Sequence, residues 1–457
     1  MSPARTRAGK DPVRQALSSR PELGAPARIK APSVATRTLP NGLRLAAVRR
    51  PGVPLVEVRL RLPFAGTAPS HLARTSLLTE TLFAGTERHD ARSLAEIIQA
   101  LGGALSAGAD ADRLAVTGSA LASNLRPLLD LLAQVLTGAT YPAQEVAGER
   151  DRIAEEIAIA RTTPSTLAGE AVSRRMFGGH AYGRDLPTVE EIRSVTAATL
   201  RSLHAHRVAP TGALLVMVGD VAPARALDAA EAALGGWSAL GRKPVELPAV
   251  PAFVPGGIAL VDRPGSVQTS IRICAPGPRR TDDDYAALML ANTVFAGYFS
   301  SRLVANIRED KGYTYSPHAG VSHARLASML TVDADVATDV TAPALVETRY
   351  EMARVAALPI TQPELDAARR YLVGTLALAT SSQAGLASTL TTLLEDGVDG
   401  GWLKTYPALL ATVDLDAAYR AARRWLAPAR TATVLVGDAS VIGESVQALD
   451  TVTPLIL

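Results

Sequence analysis

The second half of this 457-residue chain repeats landmarks of the first half in the same order. Arg50-Pro51-Gly52, which precedes a strand-like pattern, recurs as Arg263-Pro264-Gly265. Val218-Gly219-Asp220, which ends an apolar strand-like run, recurs as Val436-Gly437-Asp438. Because a repeated sequence pattern indicates a repeated structural unit, the chain is predicted to contain two α/β halves of similar size.

Strand and helix patterns alternate within the first half. An Asn41-Gly42 pair between alternating residues predicts a β-hairpin at its beginning. Val56–Leu62 alternates apolar and charged side chains, which indicates a half-buried strand. Leu72–Phe83 and Glu190–His204 have helical spacing, and each is predicted to be a single helix.

The composition along the chain suggests where the two halves divide. Residues 241–256 contain four prolines and are predicted to be a linker. This linker would join an N-terminal domain, residues 35–240, to a C-terminal domain, residues 257–457. Residues 1–34 are rich in Pro, Ala, Ser and Arg, and they are predicted to be a disordered tail.

Three short segments follow one another in the second half and bring two polar side chains together. Tyr298–Ile307 has helical spacing, Arg308–Gly312 is charged and ends in glycine, and Tyr313–Ser316 alternates like a strand. A helix that ends before a strand would direct Arg308 and Tyr315 into one cleft. A guanidinium and a phenol are donors suited to a peptide carbonyl or an oxyanion. Spacing alone, however, favours a simpler interpretation, with Arg308 as a surface cation and Tyr315 in the core.

The same stretch closely resembles the C-terminal-domain motif of the pitrilysin, or insulinase-like, zinc peptidases, which are also called inverzincins. The matching residues are Ser301, Arg302, Leu303, Ile307, Arg308, Glu309, Gly312, Tyr315 and Ser316. The resemblance implies that Arg308 and Tyr315 contact substrate opposite a zinc ion. It also implies an α+β fold, in which two homologous α/β sandwich domains, each a mixed sheet covered by helices, form a clam-shaped subunit.

The zinc-binding motif of that family, H-x-x-E-H, is absent from its expected place. Leu82-Phe83-Ala84-Gly85-Thr86 resembles the segment that follows the motif and so fixes the register. Counting back places Ser76 and Glu80 at the two histidine positions and Thr79 at the general-base position. A serine hydroxyl is a poor zinc ligand, and threonine cannot act as a carboxylate base.

The family's third zinc ligand is a glutamate on a later helix, and this position is retained. Glu156 matches the ligand and Glu149 matches its supporting glutamate. Together with Glu80 they could gather a hard cation such as Mg²⁺ or Ca²⁺, but solvated or mutually hydrogen-bonded carboxylates are the simpler interpretation. We therefore expect no metal in this chain.

Gly102, Gly103 and Ser106 resemble the family's glycine turn before an edge strand, to which the substrate backbone adds as a further strand. A plain helix C-cap explains the two glycines equally well.

Other function classes find little support. The net charge is only +3, and no basic block interleaved with aromatic residues indicates nucleic-acid binding. No apolar run is long enough for a membrane-spanning helix. No secretory signal is visible, so a cytoplasmic location is expected; a periplasmic or organellar one stays open if the start is misassigned or the tail is a transit peptide.

A lost zinc motif beside a retained Arg/Tyr motif resembles the non-catalytic subunit of enzymes in the mitochondrial-processing-peptidase-like branch. The resemblance implies a heterodimer in which a homologous zinc-bearing peptidase subunit binds the substrate peptide, and Arg308 and Tyr315 act on it in trans. The zinc would belong to the partner, with no cofactor in this chain. The alternative is a structural or binding subunit of a larger assembly without a proteolytic role. An autonomous peptidase is disfavoured because Ser76, Thr79 and Glu80 occupy three of the four zinc-chemistry positions.

Overall fold

The structure is a computed structural model that describes residues 30–238 and 243–457. Residues 1–29, most of the predicted tail, and residues 239–242, where the predicted linker begins, lie outside the described part. Within the described part, no helix is both long enough and apolar enough to cross a membrane.

The secondary structure alternates in the same way in both halves. The strands are Ala35–Thr38 (β1), Arg44–Arg49 (β2), Leu55–Pro63 (β3), Ala104–Ala109 (β4), Arg113–Leu121 (β5), Leu214–Gly219 (β6), Ile258–Asp262 (β7), Gln268–Pro276 (β8), His318–His323 (β9), Ser328–Ala337 (β10), Ala432–Gly437 (β11) and Val452–Pro454 (β12). The α-helices are His71–Thr81 (α1), Ala91–Ala100 (α2), Leu125–Gly138 (α3), Ala143–Ala160 (α4), Pro164–Phe177 (α5), Val189–Arg193 (α6), Ala197–Arg207 (α7), Pro223–Leu234 (α8), Tyr285–Asn292 (α9), Thr341–Ala357 (α10), Gln362–Ala379 (α11), Gln383–Glu395 (α12), Trp402–Thr412 (α13), Leu415–Trp425 (α14) and Ala439–Gln447 (α15). Wider π-helical turns cover Thr293–Gly297 and Val304–Asp310, and short 3₁₀ turns cover Ala122–Asn124, Ala181–Gly183, Thr338–Val340 and Pro428–Arg430.

The two six-stranded sheets have the same internal strand order. Their orders are β1-β2-β6-β3-β5-β4 and β12-β7-β11-β8-β10-β9. In each sheet one inner pair is parallel, β2 with β6 and β7 with β11, and the pairs that follow it are antiparallel. The structure therefore confirms the predicted α+β class, with two mixed sheets covered by helices. The hairpin predicted at Asn41-Gly42 joins β1 to β2 in the expected antiparallel register.

The two sheets exchange one helix with each other. One face of each sheet packs against helices of its own half and forms a large buried core. The opposite face of the second sheet is covered by α5 from the first half, where Ala171 packs in one cluster with Val434. The corresponding face of the first sheet is covered by α12 from the second half, where Leu390 packs in one cluster with Val216. The exchange interlocks the halves because each sheet completes its burial with a helix from the other half.

The predicted single helix Glu190–His204 is wrong, because two helices, α6 and α7, occupy this region. Thr196 has an extended backbone and begins α7 with a capping box that it forms with Thr199. A threonine whose hydroxyl satisfies the first orphan N–H groups of a new helix competes with continuation of the preceding one. The apolar spacing runs through both helices and conceals this break.

The segment around Arg308 also differs from prediction. The predicted helix Tyr298–Ile307 does not begin at Tyr298; the residues before Arg302 form a turn, and the helical part runs as a wide π-helical turn to Asp310. Two residues beyond this turn, Gly312 has a φ of +65°, which suits glycine and agrees with the predicted stop of the helix.

The strand predicted at Tyr313–Ser316 is reduced to a single bridge between Thr314 and Val336. Regular pairing starts only at His318, which lies opposite Asp333. Between the bridge and this pair the chain advances four residues, from Thr314 to His318, while β10 advances three, from Val336 to Asp333. The extra residue forms a β-bulge. Pro317 lies in the bulge, and its missing N–H removes a ladder hydrogen bond.

Candidate functional site

The positions that the family uses for zinc lie on α1 and α4, and their hydroxyl groups are turned to the helix backbone. Ser76 Oγ donates to the carbonyl of Leu72 at 2.9 Å, and Thr79 Oγ1 donates to the carbonyl of Ser76 at 2.8 Å. The nearest histidine, His71, has Nε2 2.7 Å from the carbonyl oxygen of Phe64. These side chains therefore have partners of their own and form no zinc ligand set.

A guanidinium lies among the carboxylates of Glu80, Glu149 and Glu156. Arg152 of α4 donates from Nη2 to Glu80 at 3.0 Å and from Nε to Glu149 at 2.7 Å, and its Nη1 donates to Glu156. These contacts raise the pKa of Arg152, with the hydrogen bond to Glu149 as the main cause. The sequence placed the three glutamates together but did not identify Arg152, although it lies one helical turn from both Glu149 and Glu156.

The residues at these positions do not fit a zinc ion. Ser76, Thr79 and Glu80 supply no imidazole, and the three carboxylates already share a cation that belongs to the chain. Across residues 30–238 and 243–457, no three His, Cys, Asp or Glu side chains are grouped so as to hold a metal ion. At this place in the fold the three carboxylates are therefore paired with a guanidinium of the chain itself.

A chamber of about 860 Å³ opens beside these residues and is walled by both halves. Ser76, Thr79, Glu80 and Glu156 line it from the first half, and the end of the β9–β10 hairpin lines it from the second. The lining does not include Arg308 or Tyr315. The Arg/Tyr motif therefore lies outside the chamber that Ser76, Thr79 and Glu80 line.

A buried carboxylate ties the hairpin to the first half. Asp112 accepts from Tyr182 Oη at 2.7 and 2.8 Å and from the backbone N–H of Arg325 at 3.1 Å. Tyr182 Oη in turn accepts from the backbone N–H of Leu326 at 3.2 Å. Burial and then the hydrogen bond to Asp112 raise the pKa of Tyr182, so the phenol keeps its proton. This network fixes the wall of the chamber that the second half provides.

The predicted glycine turn precedes the edge strand of the first sheet, as the sequence indicated. Gly102 has a φ of +64°, and a Cβ on Gly103 would lie 2.1 Å from the carbonyl oxygen of Ser119. Ser106 lies on β4, which, among the strands of the described residues, pairs with β5 alone and forms the edge of the sheet. Gly102, Gly103 and Ser106 lie outside the chamber lining, which the strand reaches only at its far end. The C-cap and the edge strand are both present, and the addition of a substrate strand to this edge stays a prediction.

Arg308 and Tyr315 lie side by side on the surface. The guanidinium carbon of Arg308 lies 4.8 Å from the centre of the Tyr315 ring and also 4.8 Å from that of Phe299. The side chain of Tyr315 is 80% exposed, so it is not a core residue. Sequence reasoning missed Phe299, because it assigned this residue to the apolar face of a helix that begins only later.

The segment that carries Arg308 is held by polar contacts to two helices. Arg302 forms a double hydrogen bond with Glu364 at 2.7 and 2.9 Å. Asn306 donates to Glu347 and Glu351 of α10, at 3.0 Å in each case. Both anchors lie in the segment directly before Arg308, so they hold its guanidinium on a rigid platform.

Glu364→Gln tests this anchoring through its pH dependence. Partial burial alone would raise the pKa of Glu364, but hydrogen bonds from Arg302 and Thr361 outweigh it and lower the pKa to about 2. A carboxylate with a lowered pKa stabilises the fold above its unfolded-state pKa, and this stabilisation is lost as the pH falls from there towards 2. The variant should lower the free energy of unfolding at pH 7 by roughly 1–3 kcal/mol. Denaturant titrations from pH 7 down to 2 should show a flatter acid dependence, and an unchanged one would contradict the role of the ion pair.

Comparison with known protein families gives matches in both halves of the chain. A sequence model described as insulinase (peptidase family M16) matches residues 74–188, and one described as peptidase M16 inactive domain matches residues 194–372. The chain belongs to peptidase family M16. The family inferred from the Arg/Tyr motif is thereby confirmed.

Some proteins similar to this M16 chain match most of its length, and others match a part of it. An uncharacterized zinc protease of Streptomyces coelicolor is 26% identical over 367 residues, which are 78% of this chain and 80% of that protein. The crystal structure of a peptidase M16 inactive domain from Pseudomonas fluorescens superposes with a TM-score of 0.81 at 22% identity, covering 93% of this chain and all of the other. A probable mitochondrial-processing peptidase subunit beta of Arabidopsis thaliana is 26% identical over 177 residues, or 38% of this chain and 33% of that protein. The structural match shows the fold alone.

Proposed function

We propose that this M16 chain is the non-catalytic subunit of a heterodimeric zinc metallopeptidase of the mitochondrial-processing-peptidase-like branch. In this proposal a homologous partner holds the zinc and the scissile peptide bond. Arg308 and Tyr315 reach across the interface and contact the bound peptide. The partial similarity to a mitochondrial-processing peptidase subunit supports the choice of branch.

The observation that carries the proposal is the contact between the exposed Tyr315 and the partly buried Arg308. Tyr315 presents a phenol to solvent, and no hydrogen bond from the Arg308 guanidinium reaches an acceptor within residues 30–238 and 243–457. Its nearest charge is the adjacent Glu309, 3.3 Å from Nε. Two preorganised donors on a rigid platform are suited to a carbonyl or a developing oxyanion supplied from outside the chain.

The degenerate first site supports a division of labour between two chains. Ser76, Thr79 and Glu80 provide neither an imidazole pair nor a general base, and Arg152 fills the space among the carboxylates. Peptide hydrolysis by zinc therefore needs a metal site on another chain. The chemistry left to this chain is to orient the peptide and donate hydrogen bonds to it.

Co-purification with a zinc-bearing M16 partner tests the proposal. This chain should be pulled down from its native source with one stoichiometric M16 partner. Peptidase activity should require both chains and disappear on addition of a chelator, because the metal would lie in the partner.

A stable assembly whose peptidase activity does not depend on this chain would contradict the proposal. That outcome would support the alternative of a structural or binding subunit, in which Arg308 and Tyr315 are dispensable.

A further inference from the structure

Phe299 is an exposed large apolar residue whose position the packing of the core does not explain. It is 65% exposed, and it lies in the turn that precedes the π-helical segment rather than on a buried face. Its ring nevertheless lies 4.8 Å from the guanidinium carbon of Arg308, the same distance as the ring of Tyr315. The guanidinium is therefore in cation–π contact with two aromatic rings.

The chain on both sides of Phe299 is fixed. The preceding Tyr298 packs its ring against Tyr371 of α11, with 5.3 Å between the ring centres. Ser301 is almost completely buried, and its backbone N–H donates to the carbonyl of Tyr298 at 3.1 Å. A turn closed by a hydrogen bond and anchored at both ends holds the intervening ring over the guanidinium.

We propose that Phe299 is a positioning residue for Arg308, and that the restrained guanidinium binds a planar oxygen acceptor, a peptide carbonyl or carboxylate, at its edge. Every N–H of a guanidinium lies in its plane, so an acceptor binds at its edge, and the two neighbouring rings limit the orientations that this edge can take. The inference rests on the proposed function for the identity of the peptide, but the contact with Phe299 is a property of this chain alone.

The clearest test removes the aromatic ring and keeps an apolar side chain. Phe299→Leu should raise KM and lower kcat/KM of the two-chain peptidase two- to fivefold, roughly 0.5–1 kcal/mol for an exposed cation–π contact. The effect on kcat should be smaller, because the ring orients a ground-state contact. Phe299→Tyr and Phe299→Trp keep an aromatic face and should restore KM. Arg308→Lys should not substitute for the native residue, because an ammonium lacks the planar fork.

Phe253→Leu is the matched control. Phe253 lies under a different guanidinium, that of Arg175, with 5.6 Å between the guanidinium carbon and the ring centre. Its replacement removes a similar contact elsewhere and should leave kcat/KM unchanged.

Nuclear magnetic resonance of arginine-labelled protein provides a readout that needs no enzymatic activity. Ring currents from the rings of Phe299 and Tyr315 should shift the Arg308 side-chain proton resonances upfield, and Phe299→Leu should move them back towards the values of an exposed arginine. The backbone spectrum elsewhere should stay unchanged, which would show that the fold persists.

Enzyme kinetics and nuclear magnetic resonance together distinguish failure of this inference from failure of the proposed function. If Phe299→Leu leaves both KM and the Arg308 resonances unchanged while Tyr315→Phe impairs the enzyme, the positioning role of Phe299 is wrong and the proposed function stands. If Tyr315→Phe has no effect on the enzyme but Phe299→Leu shifts the Arg308 resonances, the proposed function is wrong and the contact between Phe299 and Arg308 stands.

Discussion

Tyr315→Phe is expected to lower kcat of the assembled peptidase about 10²–10³-fold, the typical cost of losing one preorganised oxyanion donor. The substitution removes one hydroxyl and keeps the ring that lies 4.8 Å from the Arg308 guanidinium. Because the ring of Tyr315 is largely exposed, its packing contributes little to folding, and the complex should still assemble. Steady-state kinetics of the purified two-chain complex would measure the effect.

Two neighbouring substitutions make this result specific. Tyr313→Phe removes a hydroxyl from the same segment, where the ring packs against the core of the second half, and it should leave kcat unchanged. Arg308→Ala should raise KM as well as lower kcat, because it removes binding of the ground state too. If Tyr315→Phe leaves kcat/KM unchanged in an intact complex, the trans-donor mechanism is wrong and the structural-subunit alternative replaces it.

The fold was largely predictable because the local hydrophobic patterns and the internal repeat both indicate two similar α/β halves. Alternation in Val56–Leu62 and the Asn41-Gly42 turn each specify a strand or hairpin from a few neighbouring residues. The repeated Val-Gly-Asp ends of β6 and β11 then relate the two sheets to each other. The exchange of α5 and α12 between the sheets was not predictable, because an amphipathic helix shows which face it buries but not against which sheet.

The failures around the candidate site have local physical causes. Pro317 directly follows the predicted strand Tyr313–Ser316, and its missing N–H interrupts regular pairing there. The bulge that results turns Tyr315 outwards. The side-by-side placement of Phe299, Arg308 and Tyr315 depends on a turn and a bulge, neither of which follows a period that a sequence pattern can reveal.

We expect Arg152 to determine how tightly zinc could bind between α1 and α4. The wild-type chain, purified alone and dialysed, should contain no stoichiometric zinc by elemental analysis. Ser76→His with Glu80→His places two imidazoles one turn apart on α1, and Glu156 would be the third ligand. In the structure, however, Glu156 is engaged by Arg152, and a cation beside the site disfavours a second cation. The double variant should therefore bind zinc only weakly.

Adding Arg152→Leu should tighten zinc binding of the double variant about tenfold, since a nearby charge typically shifts a pKa by 1–3 units, each unit is tenfold, and the exposure of Arg152 keeps the effect at the lower end of that range. Arg150→Leu is the matched control, because Arg150 is on the same helix but pairs with Asp151 and leaves the three carboxylates untouched. Competition with a chelator would measure the zinc affinity of the double variant alone, with Arg152→Leu and with Arg150→Leu. Turnover would further require Thr79→Glu as a general base. Equal affinities with and without Arg152 would show that its guanidinium does not oppose zinc binding. One zinc per chain in the dialysed wild type would contradict the loss of the site altogether.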